Sequence, residues 1–367
     1  MNDIIYMPVK CICGEAAVLN NSSFLSKLGK RCLVLTGSSG AKKSGALDDA
    51  FAALKKEGIE YIVFDKIGEN PLISACHEAG ESARNANADF ILGIGGGSVL
   101  DAAKAVAIYA SNADLTAIDI YKREYANAPL PVALIGTTAG TGSEVTAVAV
   151  LTNDETGVKK SISGDDCYAK IAFCDPKYTY SLPYASTVST ALDAFAHAVE
   201  GYFTPKCCDA IELWADKCIP MIYSGLKELA KSKEISIDLR EKLYYGSVYA
   251  GLVINTCGTA FPHPLGYVLT ENYGIPHGMA CAAFFAPYID RCAEFAPEKA
   301  AKFFALTEEK EAVKAVISSL TDLGGVSINE DEAKKYALRW QSVIPRNFTA
   351  SPGGLTQEEA AAILAGI

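Results

Sequence analysis

Residues 90–104 read FILGIGGGSVLDAAK and contain the clearest fold signal in the chain. The apolar run Phe90–Ile94 predicts a buried strand, and three glycines at 95–97 follow it directly. A helical pattern then begins at Ser98 and continues to Ala110. Strand, tight turn and helix in this order predict part of a βαβ unit in a parallel sheet.

The glycine turn is also a candidate phosphate site. Glycine lets the backbone approach a ligand closely, and the free amides of a helix N-terminus favour a pyrophosphate. Ser98 and Asp101 resemble a capping box at this helix start. The spacing is not GxGxxG, however, so a tight turn without a ligand explains the stretch by itself equally well.

The same alternation of strand and helix runs through the first half of the chain. Further strands are predicted at Cys32–Thr36, Tyr61–Phe64, Val132–Ile135, Val145–Thr152 and Ile171–Cys174. Helical patterns occupy Gly45–Gly58 and Pro71–Asn85. This rhythm predicts a mostly parallel sheet that helices cover on both faces.

The second half has helical periods and no convincing strand pattern. Helices are predicted at Thr187–Phe203, Asp209–Lys231, Leu239–Asn255, His277–Phe295, Pro297–Phe304, Glu308–Leu323, Glu330–Ser342 and Gln357–Ala365. A chain of 367 residues is too long for one compact core. We therefore expect an α/β domain at residues 1–183 and an all-α domain at residues 184–367, with the ligand site in a cleft between them.

Composition limits the possible partners. The net charge is −10 and there is no basic stripe, which argues against nucleic acid as a partner. The N-terminus does not resemble a secretory signal, and no uncharged run reaches transmembrane length, so we expect no membrane partner. The twelve cysteines are irregularly spaced and form no CxxC pair, which indicates reduced thiols in a cytoplasmic protein.

A second loop of small residues, GTTAGTGSEVT at 136–146, follows the predicted strand Val132–Ile135. Carboxyl ends of parallel strands share one edge of a sheet, so this loop should lie beside the glycine turn. Hydroxyls and amides of Thr137, Thr138 and Thr146 could then contact the same ligand. Two such loops together are typical of a dinucleotide site.

The helix STALDAFAHAVEG at 189–201 carries two polar side chains among small and apolar ones. Asp193 and His197 are four residues apart and share a face. A hydrogen bond that orients the imidazole would explain the pair in isolation. The chain has four histidines, however, and His263 and His277 lie in the same predicted domain. One carboxylate and three imidazoles suit Fe(II) or Zn(II), whereas His77 is expected to be an ordinary exposed histidine.

With these motifs, the chain resembles the iron-containing (group III) alcohol dehydrogenases, which share the dehydroquinate synthase-like fold. The resemblance covers essentially the full length. It rests on GGGSVLDAAK at 95–104, TTAGTGSEVT at 137–146, the run from Pro183 to Glu200, and PHPLGY…IPHG at 262–278.

The resemblance implies a metal site and a nucleotide site. The metal ligands would be Asp193, His197, His263 and His277, which would also be the catalytic residues. The nucleotide contacts would come from Gly37, Ser38, Asn70, Gly95, Gly96, Gly97, Ser98, Asp101, Thr137, Thr138, Thr146 and Lys159. The implied activity is hydride transfer between a nicotinamide and a small alcohol or aldehyde in a homodimer, with Fe(II) or Zn(II) as the metal.

Two positions depart from the pattern of the relatives. Where NAD-preferring relatives often have an Asp that binds the ribose hydroxyls, this chain has Gly37. Ser38, Ser39, Lys42 or Lys43 could receive a 2′-phosphate there, so we expect NADP(H) to be favoured over NAD(H). Some relatives also have a further His where this chain has Tyr267, so a proton relay through that position cannot operate here.

Other functions remain open from the sequence. A cyclase or lyase resembling dehydroquinate synthase would bind the same groups without net cofactor reduction, and glycerol dehydrogenase-type polyol oxidation would use the same site. A catalytically silent nucleotide-binding or assembly protein would tolerate loss of the ligand set, yet all four ligand positions are filled here.

Overall fold

The computed structural model describes residues 4–367. The strands are β1 (Lys10–Cys13), β2 (Arg31–Thr36), β3 (Glu60–Phe64), β4 (Phe90–Gly95), β5 (Val132–Gly136), β6 (Val148–Thr152), β7 (Lys159–Ser163) and β8 (Ile171–Cys174). Six of them form a sheet in the order β1-β8-β5-β4-β2-β3, and every pairing in it is parallel. β6 and β7 pair with each other as a separate antiparallel hairpin.

The central strands of the sheet are buried on both faces, as their unbroken apolar runs require, whereas the edge strands β1 and β3 are largely exposed. Every residue of β4 and β5 is buried. Alternate side chains of β2 enter different clusters: Leu33 and Leu35 pack on one face, and Val34 packs on the other. This alternation follows from the period of two in a strand.

The helices are named here in chain order. They are α1 (Ala17–Asn20), α2 (Gly40–Lys43), α3 (Ala46–Lys56), α4 (Ile73–Asn85), α5 (Gly97–Ser111), α6 (Tyr184–Phe203), α7 (Asp209–Lys231), α8 (Ile237–Cys257), α9 (Pro262–Tyr273), α10 (His277–Ala282), α11 (Phe285–Phe295), α12 (Pro297–Leu306), α13 (Lys310–Leu320), α14 (Glu330–Val343), α15 (Pro345–Thr349) and α16 (Gln357–Ala365). The fold class predicted from the sequence, a parallel α/β part followed by a helical part, is confirmed.

The chain divides into two compact units. One contains Tyr6–Thr138 and Gly142–Leu182 and carries all eight strands of the described chain. The other contains Pro183–Ile367 and takes up the short segment Ala139–Thr141. None of the helices in the described residues is long and apolar enough to span a membrane.

Some elements differ from the prediction. β1 and β7 give no clear sequence signal, because each is short and partly exposed and forms only by pairing with a distant strand. The predicted strand Val145–Thr152 begins only at Val148, because Ser143–Val145 is a turn of 3₁₀ helix.

Two further differences lie in the helical unit. The predicted helix His277–Phe295 is two helices, α10 and α11, separated at Ala283 and Phe284. The apolar residues continue through this break, so the period alone could not reveal it. The prediction also missed α9, which begins at Pro262. Proline fits the first turn of a helix because its missing N–H would have no partner there.

Candidate metal and nucleotide sites

Helix α6 presents the first pair of candidate metal ligands. The helix is almost wholly buried, and Asp193 and His197 lie one turn apart on it. Nε2 of His197 lies 3.6 Å from Oδ1 of Asp193. Burial lowers the pKa of His197 to about 4, so this imidazole is neutral at neutral pH and can offer a lone pair to a cation.

Two short helices bring the other histidines to the same carboxylate. His263 is the second residue of α9 and His277 is the first residue of α10. Their Nε2 atoms lie 3.8 Å and 3.7 Å from Oδ1 of Asp193. Prolines precede both histidines, at Pro262 and Pro276, and give each helix a sharp start.

Close packing of α10 on α6 depends on a glycine beside His277. A Cβ atom on Gly278 would lie 1.8 Å from the carbonyl oxygen of Ser189 and 2.9 Å from the amide nitrogen of Asp193. Only glycine lets the two backbones come so close. This contact sets the start of α10, and therefore His277, beside Asp193.

Glu200 fixes the orientation of the His263 ring. Its Oε1 lies 2.7 Å from Nδ1 of His263, and its Oε2 accepts the amide hydrogen of Ala260 at 2.7 Å. Burial would lower the pKa of His263, but the charge and hydrogen bond of Glu200 raise it overall. With Nδ1 engaged by Glu200, the ring directs Nε2 toward Asp193.

These side chains fit a divalent cation. Nε2 of His263 is buried and has no hydrogen-bond partner among the described residues, a costly state that a bound cation would relieve. In a tetrahedral zinc site, bond lengths of about 2.0–2.2 Å to nitrogen and oxygen separate neighbouring donors by about 3.3–3.6 Å. The observed donor separations of 3.6–3.8 Å are close to this range.

The glycine turn at 95–97 lies beside the start of the loop GTTAGTGSEVT at 136–146, which we call the threonine loop. Gly95 pairs with Gly136 in the register of β4 and β5, and the amide of Thr137 donates to the carbonyl of Gly95 at 2.9 Å. A Cβ atom on Gly96 would lie 2.9 Å from Cγ2 of Thr138, so glycine is needed for this approach. Both loops therefore lie at the same edge of the sheet, as the sequence predicts.

Strand order places Gly37 and the glycine turn on either side of a topological switch point. The chain runs from β2 outward to β3 and then returns to β4 on the opposite side of β2. Gly37 follows β2 and Gly95 ends β4. In open α/β sheets, ligands bind at such a crevice outside the carboxyl ends of the strands.

Comparisons with known proteins identify the family of this chain. Residues 8–176 match the family description of iron-containing alcohol dehydrogenase, and residues 187–333 match its C-terminal part. The 1,3-propanediol dehydrogenase of Klebsiella pneumoniae is 31% identical over 320 residues, which cover 82% of this chain and 81% of that protein. The chain belongs to the iron-containing alcohol dehydrogenase family.

Solved structures of this alcohol dehydrogenase family match over the full length. An iron-containing alcohol dehydrogenase from Thermotoga maritima is 35% identical, with a TM-score of 0.91 and complete coverage of both chains. The NADH-dependent butanol dehydrogenase A of the same organism is 26% identical with a TM-score of 0.85, covering 99% of this chain and 98% of that one. The choline dehydrogenase of Bacillus subtilis is 31% identical over 84% of this chain and 79% of its own length.

Cys281 lies beside the proposed metal ligands, and no sequence motif predicted this. It is buried on α10, one turn after His277, and its Sγ lies 3.8 Å from both ring nitrogens of that histidine. The donor atoms of Asp193, His263, His277 and Cys281 all lie within 4.8 Å of one another. The available sequence signal was that Cys281 follows His277 by four residues on a predicted helix, so that the two side chains share a face.

Tyr267 stacks on His277. Their ring centroids are 5.3 Å apart with an interplanar angle of 12°. The sequence marks this position as a departure from relatives that carry a histidine there. The tyrosine ring covers one face of the His277 imidazole, so it limits how that ring can turn.

The capping box predicted for Ser98 and Asp101 is wrong. Helix α5 has no side-chain cap, and Oγ of Ser98 accepts the amide hydrogen of Asn70 at 3.3 Å. Asp101 instead accepts hydrogen bonds from Oγ of Ser143 at 2.6 Å and the amide of Val150 at 2.8 Å. The Asp101 carboxylate points toward the threonine loop and the β6–β7 hairpin, because the two donors there are buried and need an acceptor.

A buried lysine holds the threonine loop in place. Lys104 Nζ donates to Oγ of Ser143 at 2.8 Å, the carbonyl of Thr146 at 3.0 Å and the carbonyl of Val148 at 2.7 Å. Burial lowers the pKa of Lys104, and the Asp101 carboxylate 3.8 Å away opposes that shift. The sequence signal for this loop-supporting role was the position of Lys104, a charged residue among the apolar residues of α5.

The remaining candidate residues divide between this buried network and the surface. Lys159 is buried on β7, and its charge acts on Asp101. Ser38 is exposed, and Asn70 is exposed with a positive φ of 53°. A Cβ atom on Gly37 would lie 2.9 Å from the carbonyl oxygen of Ile67, so a side chain at that position requires the backbone to shift.

The prediction of an exposed His77 is also wrong. The residue is half-buried, and its Nε2 lies 2.9 Å from the carbonyl oxygen of Leu115. Its ring contacts Tyr109 edge-on at 5.1 Å between centroids. His77 is thus a packed structural histidine in the α/β unit.

Proposed function

We propose that this protein is a metal-dependent, NAD(P)-linked alcohol dehydrogenase or aldehyde reductase for small substrates. The observation that carries the proposal is the convergence of three imidazoles on one carboxylate. Nε2 atoms of His197, His263 and His277 lie 3.6–3.8 Å from Oδ1 of Asp193. Membership of an alcohol dehydrogenase family supports the same chemistry.

Asp193, His197, His263 and His277 are the proposed metal ligands and the catalytic centre. When bound, the divalent metal acts as a Lewis acid on the substrate oxygen, and the nicotinamide exchanges hydride with the substrate carbon. Asp193 supplies the negative charge that offsets the cation, and His197 stays neutral because it is buried. Glu200 holds the His263 ring so that Nε2 presents its lone pair.

Gly95, Gly96, Gly97 and Ser98 are the proposed pyrophosphate contacts. The amides at the start of α5 and its partial positive charge suit a phosphate there. Thr137 and Thr138 are the further proposed contacts, since they lie directly beside the glycines. Asp101, Thr146 and Lys159 support the loop from the buried network, so their proposed role is to position it.

NADP(H) is the proposed cofactor in preference to NAD(H). No carboxylate stands at Gly37 to repel a 2′-phosphate, and Ser38, Lys42 and Lys43 are exposed nearby in sequence. We expect replacement of Lys42 and Lys43 by alanine to raise KM for NADPH more than KM for NADH. Equal KM changes for both cofactors, or a wild-type preference for NADH, would contradict this assignment.

The proposed substrates are short alcohols, diols and their aldehydes. Relatives that support this range are 1,3-propanediol dehydrogenases and an NAD-dependent methanol dehydrogenase from Bacillus methanolicus. Fe(II) is the proposed metal, as the family description states for its members, and Zn(II) suits the same donors. A homodimer in the cytoplasm, as expected from the sequence, remains a prediction that size-exclusion chromatography and cell fractionation can test.

The test of the proposed function is His197→Ala in protein purified without oxygen. We expect loss of bound metal and of NADPH oxidation with butanal or 3-hydroxypropanal, while the circular dichroism spectrum stays unchanged. His77→Ala is the matched control, because it removes a histidine that lies in the other compact unit. Full metal content and rate in His197→Ala would overturn the proposal. Metal binding without any change in nicotinamide absorbance would indicate a non-redox reaction.

A further inference from the structure

Two thiols of the helical unit lie together and belong to neither of the sites proposed above. Cys207 is half-buried in the connection between α6 and α7, and Cys257 is buried as the last residue of α8. Both lie in the compact unit that contains Pro183–Ile367. The pair is therefore formed within one unit, by residues that are distant in the chain.

The end of α6 brings the two cysteines together. Oγ1 of Thr204 lies 3.5 Å from the carbonyl oxygen of Cys257, and the amide of Cys207 donates to the carbonyl of Thr204 at 3.2 Å. A Cβ atom on Gly201 would lie 3.6 Å from Cβ of Cys257, so α6 and α8 pack closely here. These contacts hold the connection that carries Cys207 against the end of α8.

The two side chains also contact each other. The thiol of Cys257 donates a hydrogen bond to the sulfur of Cys207, which lowers the pKa of Cys207 and raises the pKa of Cys257. Burial of Cys207 and the charge of Glu212 oppose the first of these shifts. Cys207 is therefore the thiol of the pair that ionises more easily.

A lysine completes this cluster. Lys299 of α12 hydrogen-bonds to Cys207, and its charge favours the thiolate form of both cysteines. Its Nζ lies 4.5 Å from the centroid of the Tyr202 ring on α6, a cation–π contact that keeps the ammonium group beside the pair. Reactive cysteines are typically partly exposed and next to a cation, whereas structural thiols are buried and inert. Cys207 meets both conditions.

We propose that Cys207 and Cys257 are a redox-active thiol pair, in which Cys207 reacts with a low-molecular-weight disulfide and Cys257 converts the product into an intramolecular disulfide. Cys207 lies outside the helices, so its backbone can make the shift that an S–S bond of about 2.05 Å requires. The reaction uses neither the proposed metal nor the proposed nicotinamide cofactor.

The chemistry is two successive thiol–disulfide exchanges. The Cys207 thiolate attacks one sulfur of the small disulfide, so that a mixed disulfide forms and the first small thiolate leaves. Cys257 then loses its proton to solvent and attacks the sulfur of Cys207, which releases the second small thiolate. In sum, two protein thiols are oxidised to one disulfide, and the small disulfide is reduced to two thiols.

The test uses glutathione disulfide as the probe on the folded full chain. After the reaction the remaining thiols are blocked by alkylation, and the disulfides are mapped by mass spectrometry of peptides. We expect a bond between Cys207 and Cys257 in the wild type. Cys257→Ala should stop at the mixed disulfide of Cys207 with glutathione. Cys208→Ala is the matched control, because it removes the neighbouring half-buried thiol and should still form the bond.

A second measurement tests the role of the lysine. In Cys208→Ala protein, where alkylation of Cys207 can be followed without its neighbour, we expect Lys299→Met to slow alkylation of Cys207 at pH 7 at least about threefold, because less thiolate is present. Lys310→Met is the control, since it removes a surface lysine that pairs with Asp290 in the same unit. Equal alkylation rates with and without Lys299 would overturn its role in activating Cys207.

Other outcomes of the mapping would overturn the pair itself. These are a wild type in which Cys207 and Cys257 stay reduced, a bond between Cys207 and Cys208 instead, or glutathione on Cys208 while Cys207 stays free. If Cys257→Ala does not fold, Cys257→Ser provides the same comparison, because a hydroxyl cannot resolve the mixed disulfide. Each result leaves the proposed dehydrogenase function standing, since metal content and nicotinamide absorbance are measured separately.

Discussion

At the scale of single residues, the proposed metal site depends on groups that do not themselves contact the cation. Glu200 is fully buried and binds both the His263 ring and the amide of Ala260. Burial raises the pKa of Glu200, and the charge of His263 opposes the rise. The carboxylate is therefore stable in the interior because the imidazole and the amide compensate it.

The first prediction concerns this contact. Glu200→Gln keeps the shape but removes the charge, so the His263 ring loses its strongest partner. We expect metal affinity to fall by about 10- to 100-fold, measured by competition with a chelator. Glu228→Gln is the control, since it changes a carboxylate in an ion pair with Lys242 at the surface of the same unit. Unchanged affinity in Glu200→Gln would show that His263 needs no such support.

The second prediction concerns pH and the threonine loop. Burial raises the pKa of Glu144 from 4.5 to about 7. In the folded chain this carboxyl keeps its proton up to about pH 7, whereas the unfolded chain loses it near pH 4.5. Its contribution to stability is therefore complete below pH 4.5 and is lost as the pH rises to about 7, by at most about 3 kcal/mol.

Glu144→Gln is neutral at every pH, so it isolates this effect. We expect the variant and the wild type to unfold at similar temperatures at pH 5. At pH 8.5 the variant should have the higher midpoint, because the wild type then buries a charge. Thermal unfolding at both pH values measures the difference. A gap of the same size at pH 5 and pH 8.5 would contradict the raised pKa.

At the scale of elements, three helices form the proposed metal site by close packing. Asp193 and His197 come from α6, His263 comes from α9, and His277 comes from α10. Glycines make the contacts possible, at Gly278 between α10 and α6 and at Gly266 between α9 and α10. The positions of the proposed metal ligands relative to one another are therefore set by the packing of these helix backbones.

The third prediction tests that packing. In Gly278→Ala the new methyl group would meet the backbone of Ser189 and Asp193, which cannot rotate away as a side chain can. We expect the helices to separate, with a loss of about 1–3 kcal/mol in unfolding free energy and weaker metal binding. Gly40→Ala is the control, because nothing lies within 4 Å of a Cβ there. Normal metal affinity in Gly278→Ala would show that the packing is not needed.

The element scale also shows where the sequence pattern was insufficient. No helix was predicted at α9, although its first residue is Pro262 and proline is favoured at the first position of a helix. The continuous apolar run through Phe284 hid the end of α10. Strand β1 forms because β8 supplies a partner 161 residues away in register, with Lys10 opposite Ile171.

At the scale of the whole molecule, the two proposed sites draw on different compact units. The four proposed metal ligands all belong to Pro183–Ile367. The proposed nucleotide contacts all belong to Tyr6–Thr138 and Gly142–Leu182. A ligand that binds only a folded unit stabilises that unit by mass action.

The fourth prediction follows from this division. Differential scanning calorimetry of the metal-free protein should show two transitions. We expect added metal to raise the midpoint of one transition and NADPH to raise the midpoint of the other. Asp193→Asn should cancel the shift caused by metal and leave the shift caused by NADPH. If each ligand raises both midpoints equally, the two units unfold together and the prediction is wrong.

The sequence by itself determined the alternation of strands and helices in the first half, the helical character of the second half, the glycine turn and the small set of candidate ligands. These features can be identified locally. A strand or a helix produces a periodic pattern of apolar residues, and a chain with only four histidines offers few candidate imidazole ligands. The family resemblance seen in the motifs is confirmed over almost the whole length. The assignment of the site residues themselves remains a prediction.

The tertiary structure alone decided which side chains meet. It turned Asp101 away from the helix start toward Ser143, packed His77 beside Tyr109, and joined Cys281 rather than any other of the twelve cysteines to the histidines. Each of these contacts depends on the packing of elements that are distant in the chain. Burial and close backbone approach are set by the whole fold, so no local pattern of residues encodes them.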